Sequence, residues 1–426
     1  MMVFLLPVYE ILLLVGLVVN LFPYIYKKKI DWEGLLEKFT FYSSQIRNLF
    51  AQSSASIWIQ AVSVGEVLLV RRLIKELELK NHTIFITTTT LTGKRVAKKF
   101  YPHIPIVYFP FDFTFLLLRA LNLFKPKIFI AVETEIWPNL YYHLKRRGTK
   151  ILIINGRISE KAFFYYRKVK FFMKKIFSLI DYVGVKDNIS RERFSSLGME
   201  EEKISVVGNL KLASLYAEKK DLDDFYLKYG KLKKKGEILL VAGSTHSGEE
   251  EMIIEIYQQL LEKFPNLKLI VGPRHLQRIS LLEKMIEQKG FLPQRISRKG
   301  WENPQPPSIY ILDTIGELFY FYSLADVCLV GGSWVKFGGH NILEPLYFLK
   351  PTLFGPYMEN FKEIEEVVLE KKAGIKVKDK KELKEILEKL IGDSEAREKL
   401  SLRISRVFEE GEVILKRNID IISKYL

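Results

Sequence analysis

Cysteine is almost missing from this sequence: Cys328 is the only one among 426 residues. That excludes an internal disulfide framework and any cysteine-ligated zinc site, and it points to a cytosol-facing protein that needs no oxidising compartment. The six histidines show no metal-ligand spacing. Acid is also short, with 50 Asp and Glu against 66 Lys and Arg, which leaves the chain at +16. An excess of this kind implies a polyanionic neighbour, whether nucleic acid, anionic lipid headgroups or a phosphorylated substrate. No run is biased enough to be collagen-like, coiled-coil or low-complexity. What is there, 48% apolar and 27% charged residues, is the composition of a globular protein. The length suits two or three domains of roughly 150 residues.

Long hydrophobic runs are absent apart from one. Between Met2 and Tyr26 the only charge is Glu10, and the stretch is long enough to cross a hydrocarbon core of roughly 30 Å. Lys27, Lys28 and Lys29 follow at once. By the positive-inside rule they hold the rest of the chain in the cytoplasm, and Tyr24 and Tyr26 suit the interface. A cleaved signal peptide would carry a basic segment before the run and small residues after it, and neither is present. The expectation for residues 1–30 is an uncleaved membrane anchor, single-pass or, given Pro7 and Glu10, lying in the interface.

The remainder alternates short apolar runs with amphipathic helical patterns. SIWIQAV, HTIFITTT, PIVYFPF, KIFIAVE and ILIING read as strands, GEVLLVRRLIKELELK and GKRVAKKFY as helices, and the rhythm resumes at EILLVAGSTHSGEEE after a charged segment, EKKDLDDFYLKYGKLKKKG. Strands alternating with helices predict α/β domains with parallel sheets. The predicted architecture is two Rossmann-like domains, 31–215 and 216–426, with ligands outside the carboxyl ends of the strands in a cleft between them.

Several loops carry candidate chemistry. GSTHSGEE, Gly243 to Glu250, follows a strand and opens a helix, so its amides and the helix dipole suit an anion; the alternative is an ordinary turn capped by Thr245 or Ser247. It is neither the dinucleotide fingerprint nor a Walker loop. Arg274 and His275 close the next strand, where a guanidinium suits a phosphate. The run from Gly331 to Pro345 is glycine-dense and should allow close backbone approach to a phosphate, with Glu344 one turn inside as an acceptor for ribose hydroxyls. Trp334 and Lys336 receive no role. Glu66 begins a helix just after a strand, as a cap or a general base. Glu133 and Glu135 end another strand, and their i, i+2 spacing directs both to one side of its edge. Asp221 and Asp223 form a D-x-D inside the charged linker, where no metal site is expected. Residues 145–175 hold eleven Lys and Arg, including Arg157, Arg167, Lys168 and Lys170, against one acid, Glu160. The interleaved aromatics there fit nucleic acid or an anionic membrane. With an anchor already in the chain, membrane contact is preferred and nucleic acid is not expected as a partner.

Taken in order, SVGE (63–66), ETEIWPN (133–139), NGRIS (155–159), GNLK (208–211), GSTHSGEE (243–250), PRH (273–275), DTIGEL (313–318), GGS (331–333) and GGHNILEP (338–345) resemble the 3-deoxy-D-manno-octulosonic acid (Kdo) transferases of lipopolysaccharide biosynthesis. The resemblance spans nearly the whole chain. It implies a GT-B fold of two Rossmann-like domains facing across a cleft, at the inner membrane with the catalytic domains on its cytoplasmic side. It implies CMP-Kdo as donor, a lipid A precursor (lipid IVA) as acceptor, inversion at the anomeric centre, and no cofactor or metal. Carried over motif by motif, Glu66 resembles the general base, and Glu135 and Lys211 the groups assisting it. Arg274, His275, Ile315, Gly316, Glu317, Gly338, Gly339, Asn341, Ile342, Leu343, Glu344 and Pro345 resemble the donor-binding set, and Arg157, Arg167, Lys168 and Lys170 would face the acceptor and membrane. Another membrane-associated GT-B enzyme using a UDP-sugar would show much the same glycine loop and ribose glutamate, and a basic nucleic-acid-binding protein is the non-enzymatic alternative.

Overall fold

Each apolar run between loops becomes a strand covered on both faces. The computed structural model describes residues 6–17, 32–52, 57–214, 222–298 and 308–426. The chain divides into two units, Met1–Ser214 with Gly411–Leu426, and Leu215–Glu410. In the first, β1 (Ile57–Gln60), β2 (Ile84–Thr88), β3 (Ile106–Tyr108), β4 (Ile128–Val132), β5 (Lys150–Gly156), β6 (Tyr182–Val185) and β7 (Ile204–Val206) lie in the order β3-β2-β1-β4-β5-β6-β7. Every pairing is parallel. All residues of β1, β2 and β4 are buried, which is why they read as unbroken apolar runs and not as alternating ones. Trp58 sits at the centre of this core among Phe85, Phe109, Phe124 and Phe129. Its indole N–H is satisfied by Thr87 Oγ1 at 2.7 Å, so the large ring is buried without an orphaned donor.

The second unit holds β8 (Ile238–Thr245), β9 (Leu267–Pro273), β10 (Leu292–Arg295), β11 (Ser308–Ile311), β12 (Val327–Val330), β13 (Thr352–Phe354) and β14 (Ile375–Lys376), ordered β10-β11-β9-β8-β12-β13-β14. Its pairings are again all parallel. Both sheets are therefore Rossmann-like, as expected. Each reverses its winding once, between β1 and β4 in the first and between β8 and β12 in the second. Such switch points open a crevice at the carboxyl ends of the flanking strands, and the loops leaving β1, β4, β8 and β12 carry SVGE, ETEIWPN, GSTHSGEE and GGS.

Two expectations need revision, and the expected anchor is described over residues 6–17 alone. Residues 411–426, assigned from the sequence to the second domain, cluster with the first. Residues 411–423 are the end of a 30-residue helix, Ser394–Ser423; Ile414 on it comes so close to Gly208 that a Cβ there would lie 2.6 Å from the Ile414 Cδ1. The charged segment before β8 is not a mere linker: Asp223–Tyr229 is a helix whose Phe225 and Tyr229 enter the second core with Leu232. Its apolar residues were masked in the sequence by the lysines between them. Finally, residues 6–17 form a helix lying on the first unit. Glu10, the one charge of the expected anchor, accepts hydrogen bonds from Thr114 N at 2.7 Å and Asn139 Nδ2 at 2.9 Å. Among the described residues no helix is long and apolar enough to cross a membrane. Residues 18–31, with Tyr24, Tyr26 and Lys27 to Lys29, lie outside the described residues, as does Asp221.

Candidate functional site

In the first unit the helix Val64–Leu69 starts directly after β1, with Ser63 as its cap. Val62 N donates to Glu66 Oε2 at 2.5 Å, and Glu66 N donates to Ser63 Oγ at 3.4 Å. Glu66 thus does take part in capping, yet it is not simply a cap. Desolvation raises its carboxyl to about 7, with Glu133 adding to the rise and Val62 N–H and Arg157 opposing it. Glu135, in the loop after β4, is likewise pushed up to about 7 by burial and then by Glu66. Two carboxyls so placed titrate as a pair near neutrality, where one can hold a proton while the other accepts one.

The i, i+2 argument for Glu133 and Glu135 does not survive, because β4 stops at Val132 and Glu133 adopts φ 61°. The local turn, not strand alternation, aims these side chains. Glu133 is instead held by Arg157, 3.0 Å away. Arg157, grouped from the sequence with acceptor-facing cations, therefore belongs to this carboxylate cluster. Asn155, at φ 52°, accepts from Leu210 N at 2.9 Å and ties NGRIS to GNLK. The short helix Leu210–Ser214, which carries Lys211, packs against the Glu66 helix. The structuring role of Asn155 had no signal in the sequence beyond its place before a glycine.

Arg167, Lys168 and Lys170 belong to two successive helices, Glu160–Lys168 and Lys170–Phe177, and are exposed. Phe164 and Phe171 are exposed beside them, with Lys168 Nζ 4.6 Å from the Phe164 ring and Lys175 Nζ 4.9 Å from the Phe171 ring. Lys145 and Lys150, counted in the same basic stretch, are paired with Asp181.

The second unit builds a different arrangement from β8, β9 and β12. Glu249, fully buried, accepts four backbone N–H groups: His246 at 2.9 Å, Gly332 at 2.7 Å, Ser333 at 3.0 Å and Trp334 at 2.9 Å. The anion at this helix start is thus the protein's own carboxylate, which takes one amide of this loop, His246, and three of the loop after β12. The helix cap is Gly248, at φ 90°, and neither Thr245 nor Ser247. Thr245 instead donates to Glu250, which also receives a two-pronged contact from Arg278 at 2.9 and 2.8 Å. Sequence inspection missed Glu249 and Glu250 as organising residues; three consecutive glutamates at a helix start look like a dipole effect and no more.

Arg274 and His275 stand exposed at the carboxyl edge of β9, and among the described residues the Arg274 guanidinium has no ion-pair partner. His246, His340 and His275 gather beside it. His246 Nε2 and His340 Nε2 are 2.8 Å apart, and Phe337 stacks on His246 at 4.0 Å. Gly338 and Gly339, at φ 86° and 75°, owe their glycines to crowding as well as backbone angle. A Cβ would lie 2.4 Å from Asn360 Nδ2 at the first and 2.4 Å from Met358 Sδ at the second. Gly339 N is bonded to Gly332 O. The glycine density is therefore a loop-to-loop packing requirement before it is a ligand cradle. Asn341 accepts from Leu343 N and contacts Glu344 Oε1 at 3.4 Å, fixing the ribose candidate. Ile342 and Pro345 are interior, so their side chains support the loop from behind. In DTIGEL, Ile315 is 88% exposed at the tip and Gly316 has φ 85°. Glu317 is bonded to Tyr229 and Thr314, so the segment taken for a linker buttresses this loop. Among the described residues no group of three or more potential ligands is placed to hold a metal ion.

Residues 33–214 match the family model of 3-deoxy-D-manno-octulosonic-acid transferase (kdotransferase). The 3-deoxy-D-manno-octulosonic acid transferase of Haemophilus influenzae is 34% identical, over 92% of this chain and 92% of its own length. That of Rickettsia bellii is 29% identical over 99% and 97%. Among solved structures, the C-terminal CMP-Kdo binding domain of WaaA from Acinetobacter baumannii is 28% identical, covering 43% of this chain and 94% of that domain, with a TM-score of 0.39.

Proposed function

The chain belongs to the 3-deoxy-D-manno-octulosonic acid (Kdo) transferase family, and from that premise we propose that it is an inverting, metal-independent glycosyltransferase of GT-B type moving Kdo from CMP-Kdo to a lipid A precursor at the cytoplasmic face of the inner membrane. The observation that carries the reading is the pair Glu66 and Glu135, two half-buried carboxyls raised to about 7 beside the β1/β4 switch point. A base poised there accepts a hydroxyl proton at physiological pH more effectively than an ordinary carboxylate.

In this mechanism the acceptor sugar oxygen attacks the Kdo anomeric carbon while Glu66 takes its proton. The bond from that carbon to the phosphate oxygen breaks, and its electron pair leaves with CMP. Glu135 and Lys211 assist on the acceptor side. The leaving phosphate takes Arg274, whose guanidinium offers two parallel donors. His275 lies beside it, Glu344 receives the ribose, and the Ile315 to Glu317 loop meets the cytidine. Residues 1–30 and the exposed Arg167, Lys168 and Lys170 keep the acceptor domain against anionic lipid.

The test is incubation with CMP-Kdo and a tetraacylated lipid A precursor, followed by mass spectrometry of the lipid. Kdo-sized mass increments with release of CMP, unchanged by EDTA, support the reading. Turnover of a UDP-sugar in its place overturns the donor, and activity lost to EDTA and restored by magnesium overturns the metal-independent chemistry.

A further inference from the structure

The first unit contains a cavity that none of the roles above uses. It is a half-open space of about 400 Å³ between the helix over residues 6–17, through Leu13, Gly16 and Leu17, and the domain beneath, through Phe109, Phe111 and Trp137. Its polar lining residues are Lys38, Thr89 and Asp112, and Lys38 Nζ lies 5.2 Å from the centre of the Tyr108 ring. Asp112 accepts from Asn139 N and Leu140 N at 3.2 and 2.8 Å, and Glu10 fastens the helix to Thr114 and Asn139. The polar bonds that hold the helix down are made beside the cavity, and its walls remain largely hydrocarbon. A space of that size lined in that way offers water few partners and suits an apolar ligand.

Two connections join the cavity to the carboxylate pair. Thr89, on its wall, donates through backbone N and Oγ1 to Val62 O, both at 3.3 Å, and Val62 N is the donor to Glu66. Trp137, on the opposite side, is two residues from Glu135. The outer face of the helix is apolar as well: Val8, Ile11, Leu12 and Val15 are each more than half exposed. A chain leaving a bilayer beside that face passes from hydrocarbon to hydrocarbon.

We propose that this cavity is an acyl-chain subsite, seating one fatty-acyl chain of the lipid acceptor while the acceptor's sugar hydroxyl lies at Glu66. The inference rests on the proposed lipid acceptor and specifies how it is held. A sugar fixed to a bilayer has to be raised before its hydroxyl reaches a base at a sheet edge, and a cavity that takes one chain with it removes the cost of exposing that chain to water. Chain length then becomes a binding determinant. For a probe dissolved in water, each methylene removed from the seated chain weakens binding about fourfold.

Gly16 supplies the variant, since a Cβ built there meets nothing within 4 Å. Gly16→Trp sets an indole at the cavity wall from a Cβ in open space, and Gly16→Ala makes the same backbone change without the bulk. The full chain is titrated with 11-(dansylamino)undecanoic acid, and transfer is assayed with tetraacylated and fully deacylated acceptors. Wild type and Gly16→Ala should bind the probe, and Gly16→Trp should not. In Gly16→Trp, KM for the acylated acceptor should rise tenfold or more while the deacylated acceptor and the donor keep their wild-type constants. Equal probe binding by Gly16→Trp, or parallel shifts for both acceptors, overturns the subsite. Displacement of the probe by phosphatidylglycerol vesicles but not by the acylated acceptor overturns the assignment of the occupant. Probe binding that responds to Gly16→Trp in a protein that transfers Kdo to neither acceptor leaves an acyl-chain cavity standing and refutes the proposed function instead.

Discussion

His246 and His340 stand Nε2 to Nε2 at 2.8 Å although 94 residues separate them in the chain. One ring must present an N–H and the other a lone pair, so at least one of the two imidazoles must be neutral. Burial lowers both; His275, Arg278 and Arg274 lower His246 further, and His246, Arg274 and His275 take His340 down to about 4. The pair joins the loop after β8 to the loop after β12 across the second switch point.

A pH effect on stability follows. Between about pH 6.5 and 4 the unfolded chain binds a proton at His340 and the folded one does not, so stability falls as pH falls through this window. The melting temperature of wild type should drop further between pH 7 and pH 5 than that of His340→Gln. Equal drops in thermal melts of the two proteins would show that the pair is not held neutral.

Glu66→Gln should lower kcat at least about 100-fold, the usual loss for a missing general base, with KM for the donor unchanged. The wild-type rate should fall below about pH 7 as the pair takes up protons. In Glu133→Gln that limb should move to lower pH, because the negative neighbour that raises Glu66 is gone and Arg157, which opposes the rise, is released from it. Steady-state pH profiles of wild type and Glu133→Gln decide it, and an unmoved limb in Glu133→Gln would dissolve the coupling.

Glu249→Gln keeps one acceptor oxygen and turns a donor toward amides that need an acceptor. At roughly 1–3 kcal/mol for each buried group left unsatisfied, a loss of about 2–4 kcal/mol in stability is expected. Because the loops it joins carry the proposed donor site, donor KM should rise and acceptor KM should not. Denaturant melts and separate donor and acceptor titrations measure the two effects. A stable variant with normal donor KM would make the four hydrogen bonds redundant.

Replacing Arg167, Lys168 and Lys170 together by Ser should raise acceptor KM, flatten its dependence on salt and leave donor KM alone, since exposed phosphate contacts are screened by ions. Kinetics at 50 and 300 mM salt test this. If both constants rise, or neither does, the stretch is only a solvated surface.

Secondary structure, sheet type and the division into two α/β halves were legible in the sequence. Strands such as Ile128–Val132, buried at every position, leave an uninterrupted apolar run, and parallel sheets require one. The loop motifs were legible for the same reason: topology puts chemistry at strand ends, and strand ends are visible as the last residue of a run. What the sequence could not supply was every relation that depends on two distant segments meeting. Glu249 looks like one acid among three until the loop after β12 arrives with its amides. Arg157 looks like one cation among eleven until Glu133 turns toward it at φ 61°. Phe225 and Tyr229 look like linker aromatics until the second core closes over them. Burial, pairing and the carboxyl shifts at Glu66 and Glu135 are properties of the surroundings of a side chain. Those surroundings are assembled from residues far apart in the chain, so local pattern names the groups and only the tertiary fold sets their charge.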